Sequence, residues 1–422
     1  MKVFKFGGAS VKDADAVRNV ASIISLFNGE KLGIVVSAMG KTTNAMEAIV
    51  KALWDRQEDE FKQLVEERRN FHLEIMHALF KDESLPIYVE VELLFRELVS
   101  KYNASIYENF DCEYDQIVSL GEILSTKIIA AYLQNNGFSA GWADARELIL
   151  TNHNFREAEV NWKHTEERFQ KLFIPRYKDT EILITQGFIG SHDKLTTTLG
   201  REGSDFTAGI IAFCCNAKSV TIWKDVPGML NADPKWFDNT VKLDRISFRE
   251  AIELSYYGAS VIHPKTIKPL QNKEIPLYVK SFVEPHAEGT VIQTCMKSDH
   301  LVPSFIFKMN QVLFSFSPRD FSFIVERNLS DIFARLSKAN AKINLMQNSA
   351  LKFSILLDEE KVNIQDILDL FEESYHVQFN AGLELITIRH YDQATIERLT
   401  EHKDILLQQK TRETARLIVK EK

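Results

Sequence analysis

The stretch Leu199–Ala208, which reads Leu-Gly-Arg-Glu-Gly-Ser-Asp-Phe-Thr-Ala, gathers the groups that could hold a small anion. Its glycines let a backbone come close, Ser204 and Asp205 suit a helix cap, and the apolar run Gly209–Ala217 behind them reads as the helix so capped. Arg201 adds a planar fork of donors that matches a carboxylate or a phosphate. A second group sits at the start of the chain, where strand-like Lys2–Phe6 breaks at Gly7-Gly8-Ala9-Ser10. Lys5 with Gly7 and Gly8 could set a positive charge and open backbone donors against a phosphate. A surface lysine before a turn explains the same residues equally well.

These groups need elements to present them. After the first turn, Val17, Val20, Ile23, Ile24 and Phe27 recur at helical spacing, and Lys31–Ser37 is a second apolar strand. Strand, helix and strand in alternation predict a parallel α/β sheet, whose ligands bind beyond the carboxyl ends of the strands. Lys5, Gly7, Gly8, Ser37 and Thr43 fall at or just past such ends. Residues 45–110 are charge-rich, with no glycine in Asp55–Lys101, and predict a helical excursion over the sheet. Further on the pattern predicts a helix from Gly121-Glu122, a strand near Gly141–Leu150, a helix near Trp162–Phe173 and a strand at Glu181–Phe188. Beyond the anion-binding stretch come strand Ser219–Lys224, a polar turn at Asn231–Lys235 and helix Ser247–Tyr257. Helix Ser260–Lys273, interrupted by Pro264 and Pro269, strand Ile275–Ser281 and a linker at Glu284–Gly289 complete this part. Past about Asp299 the rhythm changes: Asp331–Leu357 and Gln393–Val419 each read helix, strand, strand, an internal repeat of a small α+β unit.

Bulk properties narrow the class. A chain of 422 residues is too long for one core, and 45% hydrophobic with 26% charged residues is an ordinary globular balance. A net charge of −8 without a basic, aromatic-laced tract argues against nucleic acid. The absence of a long apolar run or a signal-peptide pattern leads us to expect a cytoplasmic protein without a membrane partner. Cys112, Cys214, Cys215 and Cys295 have neither metal-ligand nor redox-pair spacing, so no protein-held metal is expected. The Walker-type phosphate loop, the Gly-x-Gly-x-x-Gly turn after the first strand and the protein-kinase motif set are all missing.

Taken in order, Lys5-Phe6-Gly7-Gly8-Ala9-Ser10, Val35-Val36-Ser37-Ala38, Ser119-Leu120-Gly121-Glu122, Leu199–Ala208, Trp223–Gly228 with Asp233-Pro234, and Gly258–Pro264 resemble the motifs of aspartate kinases in the amino-acid-kinase superfamily. The resemblance covers essentially the whole chain. It implies an α/β fold, an amino-acid-kinase-like αβα sandwich with a mostly parallel central sheet, followed by tandem α+β (ferredoxin-like) ACT domains. The catalytic domain would span residues 1–297 and the regulatory pair 298–422. Within the pair, residues 318–384 would form an inserted first unit, and 305–316 with 385–422 the second, which ends without room for a final helix. The implied reaction moves the γ-phosphoryl group of ATP to the side-chain carboxylate of L-aspartate, giving 4-phospho-L-aspartate. That is the first step towards lysine, threonine and methionine. A kinase of glutamate or N-acetylglutamate and a catalytically decayed amino-acid sensor are the alternatives.

The same resemblance assigns roles. Lys5 would stabilise the phosphoryl group in transfer, and Asp205 would hold that lysine or coordinate Mg²⁺. Arg201 would clamp the substrate α-carboxylate and Glu122 its α-ammonium, with Ser37, Thr43, Gly203 and Ser204 orienting the rest. ATP would lie against Lys5, Gly7, Gly8, Lys224, Asp225, Leu230, Asp233, Lys235, Ser260 and Val261. An amino-acid effector would meet Ile343, Asn344, Asn348 and Ser349, and the ACT region would join two or more copies of the chain. Taken singly, Ser204 and Asp205 would serve as helix caps, Glu122 as a first-turn acid and Asp233-Pro234 as an ordinary turn. Three positions depart from the family pattern: Glu202 replaces a glycine, Ser260 replaces a nucleotide-side lysine, and Lys224 replaces a threonine. Lys224 or Lys265 is expected to restore the lost cation, and Glu202 to turn away, bind metal or pair with Lys224. Asn344 and Ala350 stand where lysine-inhibited relatives carry acids, so weak inhibition by lysine is expected.

Overall fold

The computed structural model describes residues 1–104, 107, 109–237, 239–259, 262–294 and 302–422. Among them, 1–229, 242–255 and 262–294 form one unit, and 230–241, 256–259 and 302–422 a second.

The first unit opens with β1 (Lys2–Phe6), α1 (Ala14–Ser25) and β2 (Leu32–Val36). The Asp13 side chain caps α1 by accepting from the Ala16 N–H, so the chain turns into the helix soon after the glycines. Five helices follow: α2 (Thr42–Trp54), α3 (Glu58–Leu79), α4 (Pro86–Ser100), α5 (Phe110–Val118) and α6 (Leu120–Asn135). By length and composition Phe110–Asn135 could cross a membrane, yet 78% of its most apolar window is buried within the protein. Its apolarity is that of a core helix.

Next come β3 (Ala140–Ala143), α7 (Ala145–Leu148), α8 (Trp162–Arg168), β4 (Ile182–Gln186) and the hairpin β5 (Ile189–His192) and β6 (Leu195–Thr198). After them run α9 (Gly203–Cys215), β7 (Val220–Lys224), β8 (Arg245–Ser247), α10 (Phe248–Tyr257), α11 (Pro264–Asn272), β9 (Leu277–Ser281) and β10 (Thr290–Gln293). The sheet order is β3-β4-β2-β1-β7-β9-β10-β8, and the six strands from β3 to β9 are parallel. The chain winds outward from β1 to β2 on one side and later resumes with β7 on the other. That reversal opens a crevice at the carboxyl end of β1, where Lys5 lies.

Helix α9 packs over β1, β2 and β7 and against α11, so most of its residues are buried. Its C-terminus is closed by Asn216 in the left-handed conformation and by Lys273, whose Nζ donates to the Phe213 carbonyl at 2.7 Å.

Three local readings are corrected. The expected strand Gly141–Leu150 stops at Ala143, because Asp144 caps a short helix by accepting from the Arg146 N–H. Pro264 starts α11 at a position needing no N–H donor, so only Pro269 lies inside that helix. The linker Glu284–Gly289 leads back into the sheet as β10, antiparallel to β9.

In the second unit, β11 (Ser304–Pro318), α12 (Glu326–Lys338), β12 (Ile343–Asn348), β13 (Phe353–Asp358), α13 (Ile364–Phe371), β14 (Tyr375–Arg389), α14 (Gln393–Thr400), β15 (Lys403–Lys410) and β16 (Thr414–Glu421) build one antiparallel sheet, β12-β13-β11-β14-β16-β15. Helix, strand, strand recurs as α12-β12-β13 and α14-β15-β16, the repeat legible in the sequence. The register between β11 and β14 shifts around Lys308–Leu313, where one half of each strand serves the first repeat and the other half the second.

Candidate active site

A cavity of about 750 Å³ opens at the crevice beyond β1 and β2. Lys5 reaches it from β1, Ser37 from the end of β2, Thr43 from the first turn of α2 and Glu122 from the first turn of α6. Gly203, Ser204 and Asp205 line it from the first turn of α9, with Arg201 just before them and Lys224 at the end of β7. One carboxylate organises the floor. Lys5 Nζ lies 2.5 Å from Asp205 Oδ1, and Lys224 Nζ lies 3.7 Å from Oδ2. The first pair is tied by charge and distance, since Oδ1 receives no aligned hydrogen bond. Both ammonium groups thus stand beside the positive end of a helix, a field that attracts anions.

Local backbone explains the wall behind them. A side chain at Gly187, just past β4, would collide with Ser204, its Cβ falling 2.4 Å from Oγ, so only glycine lets α9 start here. Phe188 follows in the left-handed region (φ 71°) and lines the cavity. The expected Ser/Asp cap does not form: the cap position is Glu202, with no side-chain cap bond, while Ser204 and Asp205 lie inside the first turn. Their side chains face the cavity because the backbone does not use them.

Two carboxylates are under electrostatic stress. Glu122 is buried, and desolvation raises its pKa to about 8 although backbone hydrogen bonds at Glu122 and Ala38 oppose the rise. Its Oε2 has no hydrogen-bond partner. Glu202 has φ 54°, and its Oε2 is buried without a hydrogen bond. Among the described residues it makes no ion pair; Lys224 pairs with Asp205 instead.

Residues 1–281 match the model of the amino acid kinase family. The lysine-sensitive aspartokinase 3 of Escherichia coli is 31% identical over 395 residues, 92% of this chain and 86% of that protein. The chain belongs to the aspartokinases of the amino acid kinase family. A chloroplastic aspartokinase 1 of Arabidopsis thaliana is also 31% identical, over 89% of this chain and 66% of that protein. Two crystal structures of E. coli aspartokinase III, one with lysine and aspartate and one with aspartate and ADP, superpose with TM-scores of 0.84 and 0.81 at 28% identity. They cover 99% of this chain and 95% and 96% of theirs.

For this aspartokinase the cavity unites Lys5, Ser37, Thr43, Glu122, Arg201, Gly203, Ser204, Asp205 and Lys224. Gly7, Gly8 and Asp225 lie outside its lining. Gly8 has a packing role, since a Cβ there would sit 2.8 Å from the carbonyl oxygens of Ala38 and Gly40. Leu230, Asp233 and Lys235 belong to the segment grouped with the second unit, where Asp233 Oδ1 accepts from the Lys235 N–H in a tight turn. Ser260 and Val261 lie outside the described residues. Sequence reasoning missed Tyr114, Asn154, Phe155, Arg156, Phe188 and Thr198, which also line the cavity. A run such as Asn152–Glu157 carries no periodic signal and is brought in only by the fold.

Of the residues expected to meet an effector, Ile343, Asn344 and Asn348 lie on β12, with Ser349 in the turn beyond. The Asn344 amide is already committed. Its Oδ1 accepts from Lys308 Nζ at 2.8 Å, and its Nδ2 donates to Gln311 Oε1 at 2.8 Å and Asp358 Oδ1 at 2.7 Å. Its carbonyl accepts from Arg416 at 2.6 Å. Burial would raise the pKa of Asp358, but the hydrogen bonds from Gln311, Lys361 and Asn344 hold it at about 2.

Proposed function

We propose that this cavity is where the chain transfers the γ-phosphoryl group of ATP to the side-chain carboxylate of L-aspartate, with Lys5, Asp205, Arg201 and Glu122 as its principal residues. The observation that carries this reading is the convergence of Lys5 and Lys224 on Asp205 at the start of α9, with buried Glu122, one of whose carboxylate oxygens has no partner, lining the same cavity.

Chemistry follows from charge. The acceptor carboxylate, with an ordinary pKa near about 3.9, is ionised at neutral pH, so no general base is required. A carboxylate oxygen forms a bond to the γ-phosphorus while the bond from that phosphorus to the β,γ-bridging oxygen breaks, and ADP leaves. What remains is to position two anions and to neutralise charge in flight. Lys5 supplies that charge at the end of β1, and Asp205 holds its ammonium in place. Arg201 grips the α-carboxylate, and Glu122 takes the α-ammonium once it ionises.

Among the described residues no three acidic, histidine or cysteine side chains could cage a metal ion. One carboxylate nevertheless fits Mg²⁺ arriving on nucleotide phosphates, because that ion binds through one or two carboxylates plus phosphate oxygens. Asp205 would hold it, and the ion would add charge neutralisation at the phosphates.

A coupled ADP-release assay with aspartate, glutamate and N-acetylglutamate in parallel tests the assignment. Turnover with aspartate alone is expected; none with aspartate, or a preference for another acid, overturns it. We also propose that the second unit pairs copies of the chain and takes an amino-acid effector. Strongly exposed Phe321, Phe323 and Met346 support the pairing.

A further inference from the structure

Behind the cavity wall lies a buried carboxylate that the reaction does not use. Asp115, on α5, is fully buried, and its two oxygens take three hydrogen bonds from segments distant in sequence. Oδ2 accepts from the Thr198 N–H at 2.8 Å and from the Arg156 N–H at 3.0 Å, and Oδ1 accepts from Thr198 Oγ1 at 2.8 Å. Thr198 ends β6, and the next residues are Leu199, Gly200 and Arg201. The neighbouring Gln116 completes the grip, because its amide accepts from the Thr196 N–H at 3.0 Å and donates to the Thr196 carbonyl at 2.9 Å. The free edge of β6 is thus paired with side chains of a helix instead of a strand.

The same helix holds Arg156 whole. Its backbone is on Asp115, its guanidinium donates to Asp111 at 3.1 Å, and its charge lies 4.4 Å from the centre of the Tyr114 ring. Arg156 has φ 66°, a conformation that needs such over-determination, and its carbonyl oxygen faces Gly200 closely enough to meet an added Cβ at 3.2 Å. Arg156, Thr198, Gly200 and Arg201 all line the cavity.

We propose that Asp115 is a positioning residue for substrate binding: from behind the wall, one carboxylate sets the loop carrying Arg156 and the strand end delivering Arg201, so that both guanidinium groups face the aspartate side of the cavity. Removing the carboxylate leaves the Thr198 and Arg156 N–H groups unpaired in a buried site, whereas an amide keeps both on its one oxygen and turns its NH2 to the Thr198 hydroxyl. The inference rests on the function proposed above.

The test is steady-state kinetics on the full-length chain. Arg201 is assigned to uniform binding of the substrate, so displacing it should raise KM with kcat little changed. In Asp115→Ala the KM for aspartate is expected to rise roughly tenfold or more, a size typical of small misplacements. The KM for ATP and kcat should stay within about twofold. Thr198→Val, which loses only the Oγ1 bond, should show a smaller rise in the same constant, and Thr198→Ser should restore the wild-type value. An unchanged aspartate KM in Asp115→Ala, or equal rises for both substrates, overturns the proposal. If Asp115→Ala does not fold, Thr198→Val decides alone, and an unchanged aspartate KM there rejects the idea. Failure of the wild type itself to turn over aspartate rejects the assigned function, and this inference with it.

Discussion

Lys5 and Asp205, 200 residues apart in sequence, meet at 2.5 Å on the floor of the cavity, where Lys224 approaches the second oxygen of the same carboxylate. One acid therefore aims two cations. Lys5→Met should lower kcat by about a hundredfold or more, as loss of a preorganised charge does. Asp205→Asn should lower kcat as well, because both ammonium groups lose their anchor. Lys224→Ala should raise the KM for ATP, whereas Lys265→Ala, at an exposed position on α11, should not. The ADP-coupled assay at varied ATP reads all four, and a larger ATP effect at Lys265 would reverse the assignment.

Glu122 makes substrate capture depend on pH. Its folded pKa of about 8 lies above the 4.5 of a free glutamate, so it is largely protonated at neutral pH in the empty cavity. An incoming ammonium favours the carboxylate. The KM for aspartate should therefore fall as pH rises towards 8, by up to about tenfold per unit, and then level off. Glu122→Gln should raise that KM and flatten the profile.

The same shift has a stability consequence. A carboxyl group with a raised folded pKa contributes fully below its unfolded value and loses that contribution as pH rises through about 8. Thermal melts should therefore show Glu122→Gln gaining on the wild type between pH 5 and pH 8.5. A constant difference across that window contradicts the buried, protonated acid.

Glu202 is stressed twice, by a left-handed backbone and by a buried carboxylate oxygen without a partner. Glycine at this position would relieve roughly 1 kcal/mol of backbone strain. Glu202→Gly should raise the melting temperature and lower the KM for aspartate, since a negative charge leaves a site that binds anions. A weaker affinity for aspartate or ATP in the variant would instead show that Glu202 contacts a ligand-borne cation.

The Asn344 side-chain amide and backbone carbonyl are already taken by Lys308, Gln311, Asp358 and Arg416. An effector's amino group would have to displace a resident lysine ammonium from Asn344. Lysine should therefore inhibit weakly, and half-maximal inhibition below about 1 mM, a typical metabolite scale, contradicts this. Inhibition titrations at fixed aspartate make the measurement.

Much of this was legible because it rests on local rules. Alternation in Lys2–Phe6 and the apolar run in Lys31–Ser37 mark the inner strands, and the repeated helix-strand-strand pattern marks the second unit. Lys5 and Arg201 stood out because their types suit anions, Ser204 and Asp205 because they suit a helix start, and the spacing of all four marks strand and helix ends. Other features depend on approach in space. Gly187 looks like any glycine until Ser204 is laid against it, and Asp115 looks like a helix-surface acid until Thr198 and Arg156 arrive from far along the chain. Asp144 and Pro264 were misread for a different reason: each begins a helix, and side-chain capping or a missing N–H is ambiguous until the backbone chooses.

The two longest strands, β11 and β14, each run through both repeats of the second unit, crossing from one to the other at the register shift near Lys308–Leu313. Neither repeat owns a complete set of strands. Opening one would strip the other of its central hydrogen-bonded pair, so both should open together as a single cooperative block. A disturbance at the β12 edge is then shared by the β15 edge through continuous backbone, without any hinge between the repeats.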